Sequence, residues 1–432
     1  MNRKLFLVSL FYFITKLFLP DAFSQTIERE KCILELIPEE SSFSFGLNQP
    51  VIWSARITNN TNKLLIGKII FEVKTFSGKS IAKQEQSTEV KAKESHTVGE
   101  FSFKDLPAGF YHIKAGFEEK KGLRIHQKSG FAVAPETLWS DSHAPIDLDS
   151  FWLRTRYELD SIQPQEKLTL VSSYSSDTID VYLVELRSLG NVRIRGYYAQ
   201  PKNKIGLPVI VHFQGYSSIM EPFGLRSDVA QFFINIRGHG NSRDDIDPGF
   251  PGYFLSGIDD PENYIYRGAY ADALRAVDFL MQRPEIDTTR IAVMGASQGG
   301  ALSFVTAALD KRIALCASDV PFLSDFRNYF QIAHWPANEV NPYCLLHFKS
   351  KESIYKTLDY FDVSHLTPRI TCPVLMGVGL YDDVCPPAIN FAAYNNLSSA
   401  DKNYILYPIS GHVLPAEHYD ISINWIRLHF GF

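Results

Sequence analysis

The run Gly295-Ala296-Ser297-Gln298-Gly299-Gly300 constrains this chain more than any other segment. It follows a strand-like stretch, Arg290-Ile291-Ala292-Val293-Met294, and precedes a helical stretch that starts near Ala301. A G-x-S-x-G at a strand-to-helix junction needs its glycines because the bend is tight, and the bend lifts the serine hydroxyl above the sheet. Ser297 is therefore a candidate nucleophile. Such a turn belongs in a sheet covered by helices, and the chain beyond Pro135 alternates strand-like and helical text as that requires. Strand-like runs fall at residues 208–213, 232–236, 290–294, 313–316, 373–377 and 404–407. Ala273, Val277, Leu280 and Met281 recur at helical spacing, with Pro284 ending that helix. A further helix opens at residues 149–153, and residues 179–187 and 191–199 read as a hairpin across Leu189-Gly190.

The order of the partners sharpens the reading. In the α/β-hydrolase arrangement an acid follows the nucleophile in sequence and a histidine comes last, each on a loop after its own strand. Gly379-Leu380-Tyr381-Asp382-Asp383 and Ser410-Gly411-His412 occupy those places. Loops at the carboxyl ends of parallel strands share one edge of the sheet, so distant side chains can meet there. A serine hydroxyl is a weak nucleophile at neutral pH, so His412 would take its proton and return it to the leaving alcohol. Asp382, preferred to Asp383, would hold the imidazole; His418 and His239 are rivals to His412 but neither directly follows the last strand. The negative oxygen of the transition state needs prearranged donors, and the backbone N–H groups of Gln298 and Tyr216 are the candidates. Tyr253, Tyr264, Tyr266 and Phe322 are candidates to shape a short acyl pocket.

Residues 25–135 read differently, as short β-branched and aromatic runs broken by turn residues such as Ser77-Gly78 and Pro107-Ala108-Gly109. The expectation is an immunoglobulin-like antiparallel β-sandwich, followed by an α/β-hydrolase domain over residues 136–432. Asn2-Arg3-Lys4, an apolar run and Ala22-Phe23-Ser24 have the order of a cleavable secretory signal at residues 1–24, which implies a periplasmic or secreted protein. The formal charge is −5 with no long basic run, which argues against nucleic acid as a partner. No other segment reads as membrane-spanning. Five cysteines without C-x-x-C or a Cys/His cluster suggest buried free thiols and no metal site.

From residue 149 to the C-terminus the sequence resembles the acetyl xylan esterase and cephalosporin-C deacetylase family, carbohydrate esterase family seven. The resemblance rests on Phe151-Trp152, Gly215-Tyr216, Arg237-Gly238, Gly252-Tyr253, Tyr264-Ile265-Tyr266-Arg267, Gly295-Ala296-Ser297-Gln298-Gly299, Val320-Pro321-Phe322-Leu323 and Gly379-Leu380-Tyr381-Asp382 running into Cys385-Pro386-Pro387. It implies a serine esterase that removes acetyl groups from small acetylated saccharides without metal or organic cofactor. The residues matching the family triad are Ser297, Asp382 and His412, and the oxyanion amides match Tyr216 and Gln298. The resemblance also implies an insertion within residues 241–263 and a homo-oligomer, often a hexamer. Two positions depart from the family: Arg-Gly-Gln reads Arg237-Gly238-His239, and His-Glu reads His412-Val413. A serine peptidase of the prolyl-oligopeptidase kind shares the fold and partner order, but residues 25–135 are too few for a multi-bladed propeller. A glycan-binding relative without activity is the non-enzymatic alternative, separated by whether Ser297 reacts with a fluorophosphonate.

Overall fold

The computed structural model describes residues 31–120 and 122–432. The expected signal, residues 1–24, lies outside them. The chain divides after Pro135 into two compact units.

Among its described residues the first unit has eight strands: β1 (Cys32–Pro38), β2 (Ser44–Phe45), β3 (Val51–Asn59), β4 (Leu65–Thr75), β5 (Ser80–Val90), β6 (Ser95–Phe103), β7 (Gly109–Glu119) and β8 (Arg124–Val133). They form two sheets, β1-β3-β6 and β2-β8-β7-β4-β5. Burial alternates residue by residue along β3 and β4, the period of a strand with one face in a core. The two inner faces share that core, where Phe71 of β4 stacks on Phe101 of β6 with ring centroids 4.0 Å apart. At the start of β7 the Tyr111 hydroxyl donates to the Pro107 carbonyl at 2.6 Å, the tyrosine corner of immunoglobulin-like sandwiches.

The second unit is built on a nine-stranded sheet. Helix α1 (Leu148–Ser161) precedes β9 (Lys167–Leu170), β10 (Ile179–Ser188), β11 (Val192–Pro201), β12 (Leu207–Phe213) and β13 (Ala230–Asn235). Then come α2 (Ile265–Leu280), β14 (Ile286–Ala296), α3 (Gln298–Leu309) and β15 (Ile313–Asp319). Four short helices follow, α4 (Phe326–Ile332), α5 (Ala337–Leu346), α6 (Lys351–Leu358) and α7 (Val363–Leu366). The chain closes with β16 (Val374–Gly379), α8 (Pro387–Asn395), β17 (Lys402–Tyr407) and α9 (Glu417–Phe430).

The strand order is β17-β16-β15-β14-β12-β13-β11-β10-β9, parallel from β17 to β13 and antiparallel through the β9–β11 end. Strands β12, β13 and β16 are buried at every position, as expected where helices cover both faces. On one face α9 sets Ile423 and Ile426 against Ile210, Ala292, Met294, Leu315 and Ala317. Helix α2 is buried at all positions except Asp278. This is the α/β-hydrolase fold. Among the described residues no helix is long and apolar enough to cross a membrane.

Candidate active site

Parallel register aligns the ends of the strands that carry the chemistry. Phe213 pairs with Gly295, Ala296 with Asp319, Asp319 with Gly377, and Gly379 with Tyr407. Ser297 follows β14 at φ 61° and ψ −120°, a left-handed backbone that costs a non-glycine residue about 1–3 kcal/mol. Neighbouring structure holds it there: Ser297 N–H donates to the Asp319 carbonyl at 2.9 Å, and Phe322 N–H to the Ser297 carbonyl at 3.1 Å. Gly299 lets the helix lie against β12, since a Cβ there would stand 2.3 Å from the Phe213 carbonyl oxygen.

Asp382 and His412 meet. Asp382 is fully buried; its Oδ1 accepts N–H bonds from Val384 (2.9 Å) and Cys385 (2.8 Å), and its Oδ2 lies 2.9 Å from His412 Nδ1. A carboxylate only accepts, so Nδ1 carries the hydrogen and Nε2 is left as the acceptor. The loops approach because Gly379 has no side chain: a Cβ would stand 2.1 Å from the Gly411 carbonyl oxygen. Asp383, the rejected alternative, is exposed.

Ser297 and His412 line one cavity of about 440 Å³, together with Gly215, Met220, Phe223, Asp319, Leu414 and Tyr419. No hydrogen bond joins the two side chains in this structure; Ser297 Oγ instead lies 3.9 Å from Cys385 Sγ. Burial pushes that thiol well above its ordinary pKa, so it faces the serine as a neutral group.

Helix α3 begins at Gln298, three residues earlier than the sequence suggests. The Gln298 N–H is therefore a first-turn amide without an intrahelical acceptor. Tyr216 follows β12, and its N–H makes no backbone hydrogen bond. The Tyr216 ring is anchored by its hydroxyl, which accepts from Phe254 N–H at 3.1 Å, and by packing 4.5 Å from Trp335. His239 lies behind the turn. Its Nε2 is 3.1 Å from Gln298 Nε2, while Tyr266 donates to Gln298 Oε1 at 2.8 Å. Burial holds the His239 imidazole down to about 4, so it is the neutral acceptor that fits the Gln298 amide. The glutamine-to-histidine departure therefore keeps a partner for Gln298.

The expected acyl-pocket residues are a correction. Tyr253, Tyr264, Tyr266 and Phe322 are all buried in an aromatic core and none lines the Ser297 cavity. Residues missed by sequence reasoning line it instead, among them Met220, Phe223, Leu414 and Tyr419. They carry no motif. All five cysteines are free, four of them buried. Among the described residues Asp382, Cys385 and His412 bring ligating atoms within 4.8 Å of one another. Both Asp382 oxygens already accept hydrogen bonds, so a cation there would compete with those that hold His412.

The family model for acetyl xylan esterase (AXE1) matches residues 136–428. This chain belongs to that family. Acetyl xylan esterases are carboxylic ester hydrolases, and related proteins agree in sequence and structure. The acetyl esterase Axe7A of Xylanibacter ruminicola is 30% identical over 338 residues, which span 74% of each chain. The acetyl xylan esterase from Paenibacillus sp. R4 is 32% identical and superposes with a TM-score of 0.64, covering 68% of this chain and 98% of its own. Acetyl xylan esterase 1 from Thermoanaerobacterium sp. gives 30% identity and the same TM-score over 68% and 96%.

Proposed function

We propose that the protein is an exported serine esterase that removes O-acetyl groups from acetylated saccharides through an acetyl-Ser297 intermediate. The observation that carries this reading is the opening of the Ser297 elbow and the 2.9 Å His412–Asp382 pair onto one cavity. Ser297 Oγ turns from Cys385 toward His412 Nε2, a contact of a kind that tightens when substrate binds. His412 then takes the serine proton as Oγ attacks the acetyl carbon. Asp382 fixes the tautomer and stabilises the imidazolium. The N–H groups of Tyr216 and Gln298 receive the oxyanion, and His412 returns the proton to the leaving sugar hydroxyl. Water, deprotonated by the same imidazole, attacks the acetyl-serine and releases acetate.

The names of the relatives, acetyl esterase and acetyl xylan esterase, support acetyl as the acyl group and saccharide as the alcohol. Export rests on the charged, apolar, small-residue order of residues 2–24. Residues 25–135 and 136–432 act as two domains, the second bearing the chemistry. The sandwich of β1–β8 is no propeller, which disfavours a peptidase of the prolyl-oligopeptidase kind.

The test is acetate release across acetylated xylo-oligosaccharides, pectin and cephalosporin C, beside a peptide amide. Acetate from the xylo-oligosaccharides with an inert amide is expected. Amide cleavage without acetate release would overturn the reading.

A further inference from the structure

His418, set aside as the catalytic base, has a partner set of its own in the Ser297 cavity. It opens α9, is 3% exposed, and lies six residues after His412. Its Nε2 is 2.6 Å from Asp319 Oδ1, its Nδ1 is 2.7 Å from the Tyr407 hydroxyl, and Ser422 Oγ lies 3.4 Å from Nε2. The carboxylate only accepts, so Nε2 carries the hydrogen toward Asp319, and the Tyr407 hydroxyl donates to Nδ1.

Each partner has a second attachment. Asp319 Oδ1 also accepts Gly377 N–H at 3.1 Å, and the Asp319 carbonyl accepts Ser297 N–H at 2.9 Å. Tyr407 ends β17, and its carbonyl accepts Leu380 N–H at 3.0 Å on the loop that leads to Asp382. Tyr407 and His418 therefore close the ends of the segment that carries His412 and tie it to the residue holding the nucleophile's backbone. The packing is tight: a Cβ on Gly377 would stand 2.6 Å from His418 Nε2 and 2.5 Å from Leu414. Within the segment the Ser410 carbonyl accepts Tyr381 N–H at 2.8 Å, while Val413 is 83% exposed and the His412 ring is hydrogen-bonded only to Asp382.

We infer that His418 is a positioning residue for the catalytic base, clamping the His412 loop through Tyr407 and Asp319 at the distance from Ser297 that proton transfer needs. The inference rests on the Ser297–His412–Asp382 reading. A shift of about 1 Å in a reacting group can lower turnover about 100-fold. Deleting the clamp thus acts on kcat, and Tyr407→Phe does so without changing a residue that lines the cavity.

The experiment compares His418→Phe, Tyr407→Phe, the double variant and Ser297→Ala on 4-nitrophenyl acetate. The end point of fluorophosphonate labelling counts competent sites, so that kcat is expressed per labelled site. His418→Phe, which keeps a ring but loses the hydrogen bonds to Asp319, Tyr407 and Ser422, is expected to lower that kcat roughly 10- to 100-fold with KM within about twofold. Tyr407→Phe is expected to lower it roughly 3- to 10-fold, and the double variant no further than His418→Phe, because Tyr407 acts through His418. A purely structural role would lower the number of labelled sites and leave kcat per site unchanged, which overturns the inference. Should His418→Phe fail to fold, Tyr407→Phe decides alone, since it deletes one oxygen atom, and a wild-type kcat there overturns the inference. Turnover persisting in Ser297→Ala would mean instead that the triad reading has failed.

Discussion

Asp382→Asn separates the chemical role of the buried acid from its structural one. Asp382 Oδ1 supports its own turn by accepting two N–H bonds, while Oδ2 faces only His412 Nδ1. Asparagine keeps the first set, with its oxygen in the Oδ1 place, and sets an NH2 group against the imidazole. That donor requires Nδ1 to be the acceptor, so the hydrogen moves to Nε2, and His412 presents a donor to Ser297 when it must accept a proton. An amide that fixes the wrong tautomer lowers kcat about 10,000-fold, equivalent to about 5 kcal/mol of transition-state stabilisation. Unfolding free energy should move by about 1 kcal/mol or less, because the N–H groups keep their acceptor. Asp382→Ala removes that acceptor as well and should lose roughly 1–3 kcal/mol of stability. The assay pairs hydrolysis of 4-nitrophenyl acetate with urea unfolding of each variant, and exposed Asp383→Asn serves as control. Turnover of Asp382→Asn within about tenfold of wild type, or an equal loss in Asp383→Asn, would refute the assignment of roles.

Gly299→Ala should lose activity and roughly 1–3 kcal/mol or more of stability, read by urea unfolding, because its Cβ would stand 2.3 Å from the Phe213 carbonyl on the strand leading to Tyr216. Tyr216→Phe should keep kcat within about threefold of wild type, since the oxyanion donor is the backbone N–H, and lose roughly 1 kcal/mol with the acceptor for Phe254 N–H; a 100-fold fall in kcat would assign the hydroxyl to the chemistry. Burial holds His239 down to about 4 and His212 to about 3, from 6.5, so the unfolded chain binds protons that the folded one does not. Stability is then full above about pH 6.5 and is lost as pH falls through that window toward 4. His239→Gln, which keeps an amide acceptor for Gln298, should lessen that loss by on the order of 2 kcal/mol, measured by unfolding at pH 7 and 4.5; an unchanged pH dependence would contradict it.

The parts legible in the sequence are those set by local rules. The elbow glycines, the strand-loop-acid and strand-loop-histidine order, and the hairpin at Leu189-Gly190 each declare themselves within a few residues. The face-to-face sheets of β1–β8 were legible as a pattern of alternation, and the Tyr111 hydroxyl bond to Pro107 showed no sign beyond a tyrosine four residues on. The parts that were not legible depend on long-range packing. Tyr253, Tyr264 and Tyr266 are aromatic members of the family motifs and so were candidates for the pocket, yet their rings fill the core behind the turn. Phe223 and Tyr419 lie almost 200 residues apart and face one cavity only because the sheet brings α9 beside the loop after β12. Helices α4–α7 run to only 4–10 residues, too short for several turns of repeat, and pack through rings such as Phe330 against Tyr355. His418 read as a rival catalyst because a sequence cannot tell which of two nearby histidines meets which carboxylate.

The most direct measurement is rapid-quench peptide mapping after the protein is mixed with an acetylated xylo-oligosaccharide. One acetyl group on Ser297 is expected, building up before steady state, with Ser297→Ala unlabelled and turnover reduced about 10,000-fold or more. Acetyl on another residue, or full turnover in Ser297→Ala, would contradict the covalent mechanism.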